Sequence, residues 1–132
     1  MSFDLESLLA TRRTIAPGEL IFLEAQLADC AYVVLKGEVQ IVAGQGGRAS
    51  TLLNRIHSGE LFGEIALLHD GFRSATALSK DGCELLVLDK AVFVDKLAAA
   101  DPFLRYVVDH LCKLILTWTD RATRREGIAP RP

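Results

Sequence analysis

Two charged residues nine positions apart, Glu64 and Arg73, are the most chemically informative pair in this 132-residue chain. They stand in Phe62-Gly63-Glu64-Ile65-Ala66-Leu67-Leu68 and Arg73-Ser74-Ala75-Thr76-Ala77, an apolar turn and a small-residue run joined by a polar loop. A guanidinium is a planar fork of donors matched to phosphate oxygens. A carboxylate only accepts, which suits it to sugar hydroxyls. Backbone N–H groups at the head of a short helical turn between them add an anion-binding surface. Together these groups have the means to grip a sugar phosphate.

The flanking sequence supplies elements that position such a site. Ser2–Ala10 reads as a short amphipathic helix, taken as an N-terminal helix over 1–13, with Leu5, Leu8 and Leu9 on one side. Over 14–88 the signal changes to short apolar runs broken by turn residues, as in a sandwich or barrel. Strands are expected at Leu20–Leu23, Tyr32–Leu35, Glu38–Val42, Ser50–Leu53, Ser74–Leu78 and Glu84–Leu88. Pro17-Gly18 precedes the first, Lys36-Gly37 is read as a link between the second and third, and Gly44–Gly47 as a hairpin loop. Asp81-Gly82 suits a tight turn. Asp89 is placed to cap a helix from Lys90 to about Ala99, and Asp101-Pro102 to start another reaching about Thr123. The second helix carries Leu104, Val107, Leu111, Leu114 and Trp118 at three–four spacing, a narrow seam of the coiled-coil kind. Arg121, Arg124 and Arg125 stand in its last turn, where cations favour the negative helix end. The expected architecture is mainly β, a jelly-roll barrel with a helix before it and two after it. It forms a single domain over 1–132, with hinge and lid helices at 89–126 and a loose tail at 127–132.

Composition narrows the function classes. Half the residues are hydrophobic and 24% are charged, a globular balance. The net charge of −2 argues against non-specific nucleic-acid binding. No apolar run is long enough to span a bilayer, and the acidic N-terminus is unlike a signal peptide, so a cytoplasmic protein off the membrane is expected. Cys30, Cys83 and Cys112 are widely spaced among apolar neighbours and read as buried free thiols. His57, His69 and His110 are too scattered for a metal set, and no nucleophile–base pair is evident. Neither a metal, a cofactor nor an enzymatic reaction is therefore expected.

These residues resemble the cyclic-nucleotide-binding domain of catabolite-activator-type regulators, protein kinase regulatory subunits and gated channels. The resemblance rests on the glycines of Pro17-Gly18-Glu19, Gly37-Glu38-Val39 and Ser58-Gly59-Glu60, and on a phosphate-binding cassette spanning 62–75. It implies that Glu64 accepts the ribose 2′-hydroxyl and that Arg73 pairs with the cyclic phosphate. The N–H groups of Gly63, Ile65, Ala66 and Ala75 then complete the anion cradle, and Ser74 adds a hydroxyl. Gly63 is expected to be glycine because a Cβ there crowds the ligand. Serine at position 74 leans toward cAMP over cGMP. Thr117, Trp118 and Thr119 fall where the family contacts or covers the base, the alternative being that Trp118 joins the apolar seam. Arg73→Ala is expected to lose about 2 kcal/mol or more of binding with the fold intact.

Two positions depart from the family pattern: Phe72 stands where proline is common before the arginine, and Glu24-Ala25-Gln26 replaces a Glu-Gly-Asp turn. The family's activators follow the long helix with a helix-turn-helix domain. None is present in these residues, so a stand-alone sensor without direct DNA binding is expected. Its signal would leave through an effector protein or through a homodimer built on the 104–118 seam. The rival readings are a structural Glu64–Arg73 ion pair, a degenerate jelly-roll dimer scaffold without a ligand, and a cupin-like metalloenzyme. The last lacks the histidine pair such sites normally carry.

Overall fold

A computed structural model describes residues 10–44, 51–69 and 71–125, with side chains described through Trp118. Seven strands and three helices follow in the order β1 (Thr11–Ile15), β2 (Glu19–Phe22), β3 (Cys30–Ala43), β4 (Thr51–His57), β5 (Leu61–Phe62), α1 (Glu64–Leu68), β6 (Thr76–Ser79), β7 (Cys83–Asp89), α2 (Lys90–Ala98) and α3 (Pro102–Arg125). All strand pairings are antiparallel, with β1-β7-β3-β6-β2 side by side and β4 and β5 also joined to β3. The sheet curls on itself as a jelly roll.

Three expectations need correction. Residues 11–13 are not helical: β1 pairs with β7 from Thr11–Val87 to Ile15–Cys83. Its polar residues face water as an edge strand while Ile15 is buried in the core. Ala10 is not helical either, while residues 1–9 of the expected helix, the 127–132 tail and most of the Gly44–Gly47 loop lie outside the described residues. Secondly, Tyr32–Leu35 and Glu38–Val42 belong to one strand, not two joined by a turn. Up to Gly37, β3 pairs with β7; from Glu38 it pairs with β4, and Gln40–Val42 also pair with β6. Gly37 marks the corner, with φ 92° and Gly82 O only 2.7 Å from where a Cβ would stand. Thirdly, Asp89 precedes α2 in extended backbone, but its side chain makes no capping bond. Asp101 does cap α3, accepting from Phe103 N–H at 2.8 Å.

Alternation along the strands builds two apolar layers. Tyr32 and Val34 point inward with Ile15, Phe22, Val39, Ile56, Phe62 and Leu85. Val33 and Leu35 point the other way, with Leu86 and Leu88, against Val92 and Phe93 of α2. The three cysteines are buried and free. No described helix is long and apolar enough to cross a membrane.

Candidate functional site

The cassette is held by backbone pairing at both ends. Before it, β5 pairs Phe62 with Tyr32 and Leu61 with Val33, which fixes where Gly63 turns into α1. After it, residues 71–73 run antiparallel to the loop following β2. Ala28 N–H donates to Gly71 O, Arg73 N–H to Gln26 O and Ala25 N–H to Arg73 O, each at 2.8 Å. Ala25 has φ 69°, so the turn keeps its left-handed geometry although alanine replaces glycine. Gln26 braces it, its side-chain oxygen accepting from Leu23 N–H at 3.1 Å.

Arg73 is 3% exposed. Its Nη1 donates to Gly63 O at 2.7 Å and its Nη2 to Cys30 O at 2.6 Å. The guanidinium lies 4.0 Å from the centroid of the Phe22 ring, a distance at which a cation is attracted to the ring face. Phe22, Tyr32 and Phe62 pack together beneath it, the last two with centroids 5.1 Å apart. Burial, followed by the Cys30 thiol, pushes the Tyr32 hydroxyl to about 12, so it stays neutral. This aromatic floor and the Cys30 carbonyl could not be assigned to the site from sequence. They come from different strands, and the pairings of β3 with β5 and of β2 with β6 bring them together.

Gly63 has φ 81°, and a Cβ on it would stand 2.8 Å from Arg73 Nη1 and 3.4 Å from Phe22. The crowded group is the arginine itself, where the sequence pointed to the ligand.

Glu64 opens α1, half-buried and not in ion-pair contact with Arg73 among the described residues. A plain structural salt bridge between the two does not account for the arrangement. Burial pushes the Glu64 carboxyl above its ordinary range, while its own backbone amide and Arg73 pull less strongly the other way. The folded chain therefore holds this proton more tightly than the unfolded chain. The resulting stability is full below the ordinary carboxylate value and is lost as pH rises through the raised folded value. Glu64→Gln is expected to flatten that loss in denaturation midpoints taken from about pH 4 to pH 7. A variant whose midpoint falls with pH as steeply as the parent's removes Glu64 as the source.

A cavity of about 330 Å³ opens above these groups, within the size range of small-ligand sites. It brings together Gly63, Glu64, Ile65, Ala66, Arg73, Ser74 and Ala75, all seven cassette residues singled out by sequence. Its remaining wall includes Ile41, Leu53, Asn54 and Ile56 from β3 and β4, and Ile115 from α3. The first N–H groups of α1 have no side-chain cap.

Two of the three candidate base contacts, Thr117 and Trp118, do not line this cavity, and Trp118 is 62% exposed. The Thr117 hydroxyl donates to Lys113 O at 2.9 Å, and the side chain of Thr119 lies outside the described residues. Helix α3 reaches the site one turn earlier, through Ile115, with Cys112 buried nearby. The seam leaves Leu104, Leu111, Leu114 and Trp118 exposed.

Comparison with known proteins agrees with this geometry. The cyclic nucleotide-binding domain family matches residues 12–100. Over 77 residues the chain is 38% identical to the cyclic AMP receptor protein of Thermus thermophilus, covering 58% of this chain and 36% of that protein. Over 102 residues it is 32% identical to the cAMP-dependent protein kinase regulatory subunit of Yarrowia lipolytica, covering 76% and 24%. The chain thus spans about a third or less of the length of these relatives. Among solved structures, the cAMP-bound form of EAL enzyme Bd1971 superposes with a TM-score of 0.76 at 26% identity, over 89% of this chain and 29% of that one. The Thermus thermophilus catabolite activator protein gives 0.63 at 29% identity, over 89% and 54%. With the family model matching residues 12–100, about two thirds of its length, this chain belongs to the cyclic nucleotide-binding domain family.

Proposed function

We propose that the chain is a cyclic-nucleotide sensor, preferring cAMP to cGMP, that binds its ligand in the 62–75 cassette without catalysing a reaction on it. The observation that carries this reading is the shared cavity, which places Glu64, Arg73 and Ser74 beside the small residues Gly63, Ala66 and Ala75. Arg73 balances the single negative charge of a cyclic phosphodiester, and Glu64 takes the ribose hydroxyl from the side where an acceptor is wanted. The N–H groups of Gly63, Ile65, Ala66 and Ala75 complete the phosphate cradle. Charged hydrogen bonds contribute about 1.5–3 kcal/mol each. Three or four of them, less ordering costs, suit micromolar affinity, roughly −8 kcal/mol.

The mechanism follows from contacts around α1. Phosphate capture draws the Phe62–Leu68 turn inward, and α3, which meets the cavity through Ile115, repacks over the ligand. Closure requires ligand contacts made only in the closed arrangement. The exposed apolar residues of α3 then offer a route for the signal, through a second copy of the chain or an effector protein. Calorimetric titration with cAMP and cGMP is expected to give micromolar binding, and hydrogen exchange of α3 is expected to slow on nucleotide addition. Absence of binding overturns the sensor reading; binding without a change in α3 overturns the signalling route alone.

A further inference from the structure

We infer that Asn54 is the residue that reads the purine of the bound nucleotide, and that it selects adenine over guanine. This rests on the nucleotide-binding function proposed above. Four polar side chains line the cavity among the described residues: Asn54, Glu64, Arg73 and Ser74. The last three lie in the cassette and serve the sugar and phosphate. Asn54 is alone on β4, beside Leu53, Ile56, Leu61 and Ile115, whose apolar surfaces suit a flat aromatic base.

Ordinary alternation places Asn54 on the cavity face two residues before Ile56, and a bulge brings Leu53 beside it. Ile41 pairs with Asn54 while the next β3 residue, Val42, pairs with Leu52, so Leu53 is an extra residue in β4. Consecutive residues of a regular strand face opposite ways, but here Leu53 and Asn54 both reach the cavity. The carboxamide is also oriented: its Oδ1 accepts from Arg55 N–H at 2.9 Å. That oxygen keeps a second lone pair, and the Nδ2 donors have no protein partner among the described residues. Asn54 therefore presents a donor beside an acceptor. Adenine's N7 and N6 amino group form the complementary acceptor–donor edge, whereas guanine's N7 and O6 are both acceptors and set O6 against Oδ1.

The test is calorimetry on the full chain and its Asn54→Ala variant with cAMP, cGMP and the cyclic nucleotide of 7-deaza-adenosine, which lacks the N7 acceptor. The parent is expected to prefer cAMP. Asn54→Ala is expected to weaken cAMP about tenfold while changing cGMP less than about twofold. The 7-deaza ligand, which keeps the N6 amino donor, is expected to lose less affinity than cAMP on this substitution. Thermal unfolding checks the variant, and Asn54→Ser, which keeps a hydroxyl for Arg55 N–H, replaces it if the alanine variant does not fold. An unchanged cAMP-to-cGMP ratio, or a parent that prefers cGMP, overturns the assignment and leaves the binding function standing. A parent that binds neither nucleotide overturns that function and this assignment with it.

Discussion

Arg73→Ala is expected to lower the unfolding midpoint by roughly 10 °C as well as weakening cyclic-nucleotide binding by about 30-fold or more. The stability loss comes from the ligand-free molecule. The guanidinium donates to the carbonyls of Gly63 and Cys30 and lies on the Phe22 ring. Removing it leaves two carbonyls without these partners and a gap beside the aromatic floor. Charged hydrogen bonds contribute about 1.5–3 kcal/mol each, and relief from burying the charge offsets part of their loss, so a net cost of about 3 kcal/mol is expected. The binding loss is separate: without Arg73, a cyclic phosphate enters the cavity without its counter-charge. Arg73→Lys distinguishes the roles, because an ammonium keeps the charge but cannot reproduce the fork. It should recover part of the affinity while remaining less stable than the parent. An alanine variant with an unchanged midpoint would show that the two carbonyl bonds do not hold the fold; one with unchanged affinity removes Arg73 from the phosphate site. From sequence alone the fold was expected to survive this change intact. That expectation weighed the arginine only as a ligand contact, and its burial with two carbonyl bonds argues for a stability cost as well.

Gly63→Ala is expected to cost about 2–3 kcal/mol of stability and about tenfold in nucleotide affinity. Left-handed backbone costs a non-glycine residue roughly 1–2 kcal/mol. The remainder arises because the new methyl would stand 2.8 Å from Arg73 Nη1. An arginine tip usually moves aside cheaply, but this one is tied to two carbonyls and must break at least one bond to yield. Gly59→Ala is the control, with φ 88° and nothing within 4 Å of the added carbon. It should show the backbone cost alone, with binding intact. Equal effects of the two substitutions on affinity, read by calorimetry, would place the Gly63 effect in the backbone and not in the displaced guanidinium.

Particular residues show how far the chain can be read before its fold is known. Glu64, Arg73 and the small residues around them stand close together in sequence, so their chemical types and spacing announced one site. The helix starts at Lys90 and Pro102 were legible for a similar reason, since periodicity and terminal residues are local signals. Lys36-Gly37 shows the opposite case. A glycine after a lysine reads as a turn, but β7 pairs up to Gly37 and β4 and β6 beyond it, so the strand bends at Gly37 instead of reversing. Likewise, Thr11–Ile15 is a strand because β7 supplies its partners, and nothing local announces it. Asn54 was invisible as a site residue because only the pairing of β4 with β3 brings that face of β4 to the cassette. Thr117, Trp118 and Thr119 came from a family position on α3, and among the described residues packing brings Ile115 of that helix to the cavity.

The sequence by itself determined the chemical kit of this protein: a carboxylate, a guanidinium and small residues at cassette spacing, within a mainly β chain closed by two helices. Those properties reside in residue types and short-range periodicity, which need no partner to be expressed. Tertiary structure alone decided that the guanidinium rests on Phe22 and two carbonyls, that Gly63 makes room for it, and that β4 and Ile115 complete the cavity. Each of those contacts joins residues far apart in the chain. Their geometry is set by strand register and core packing, and neither exists until the sheet has formed.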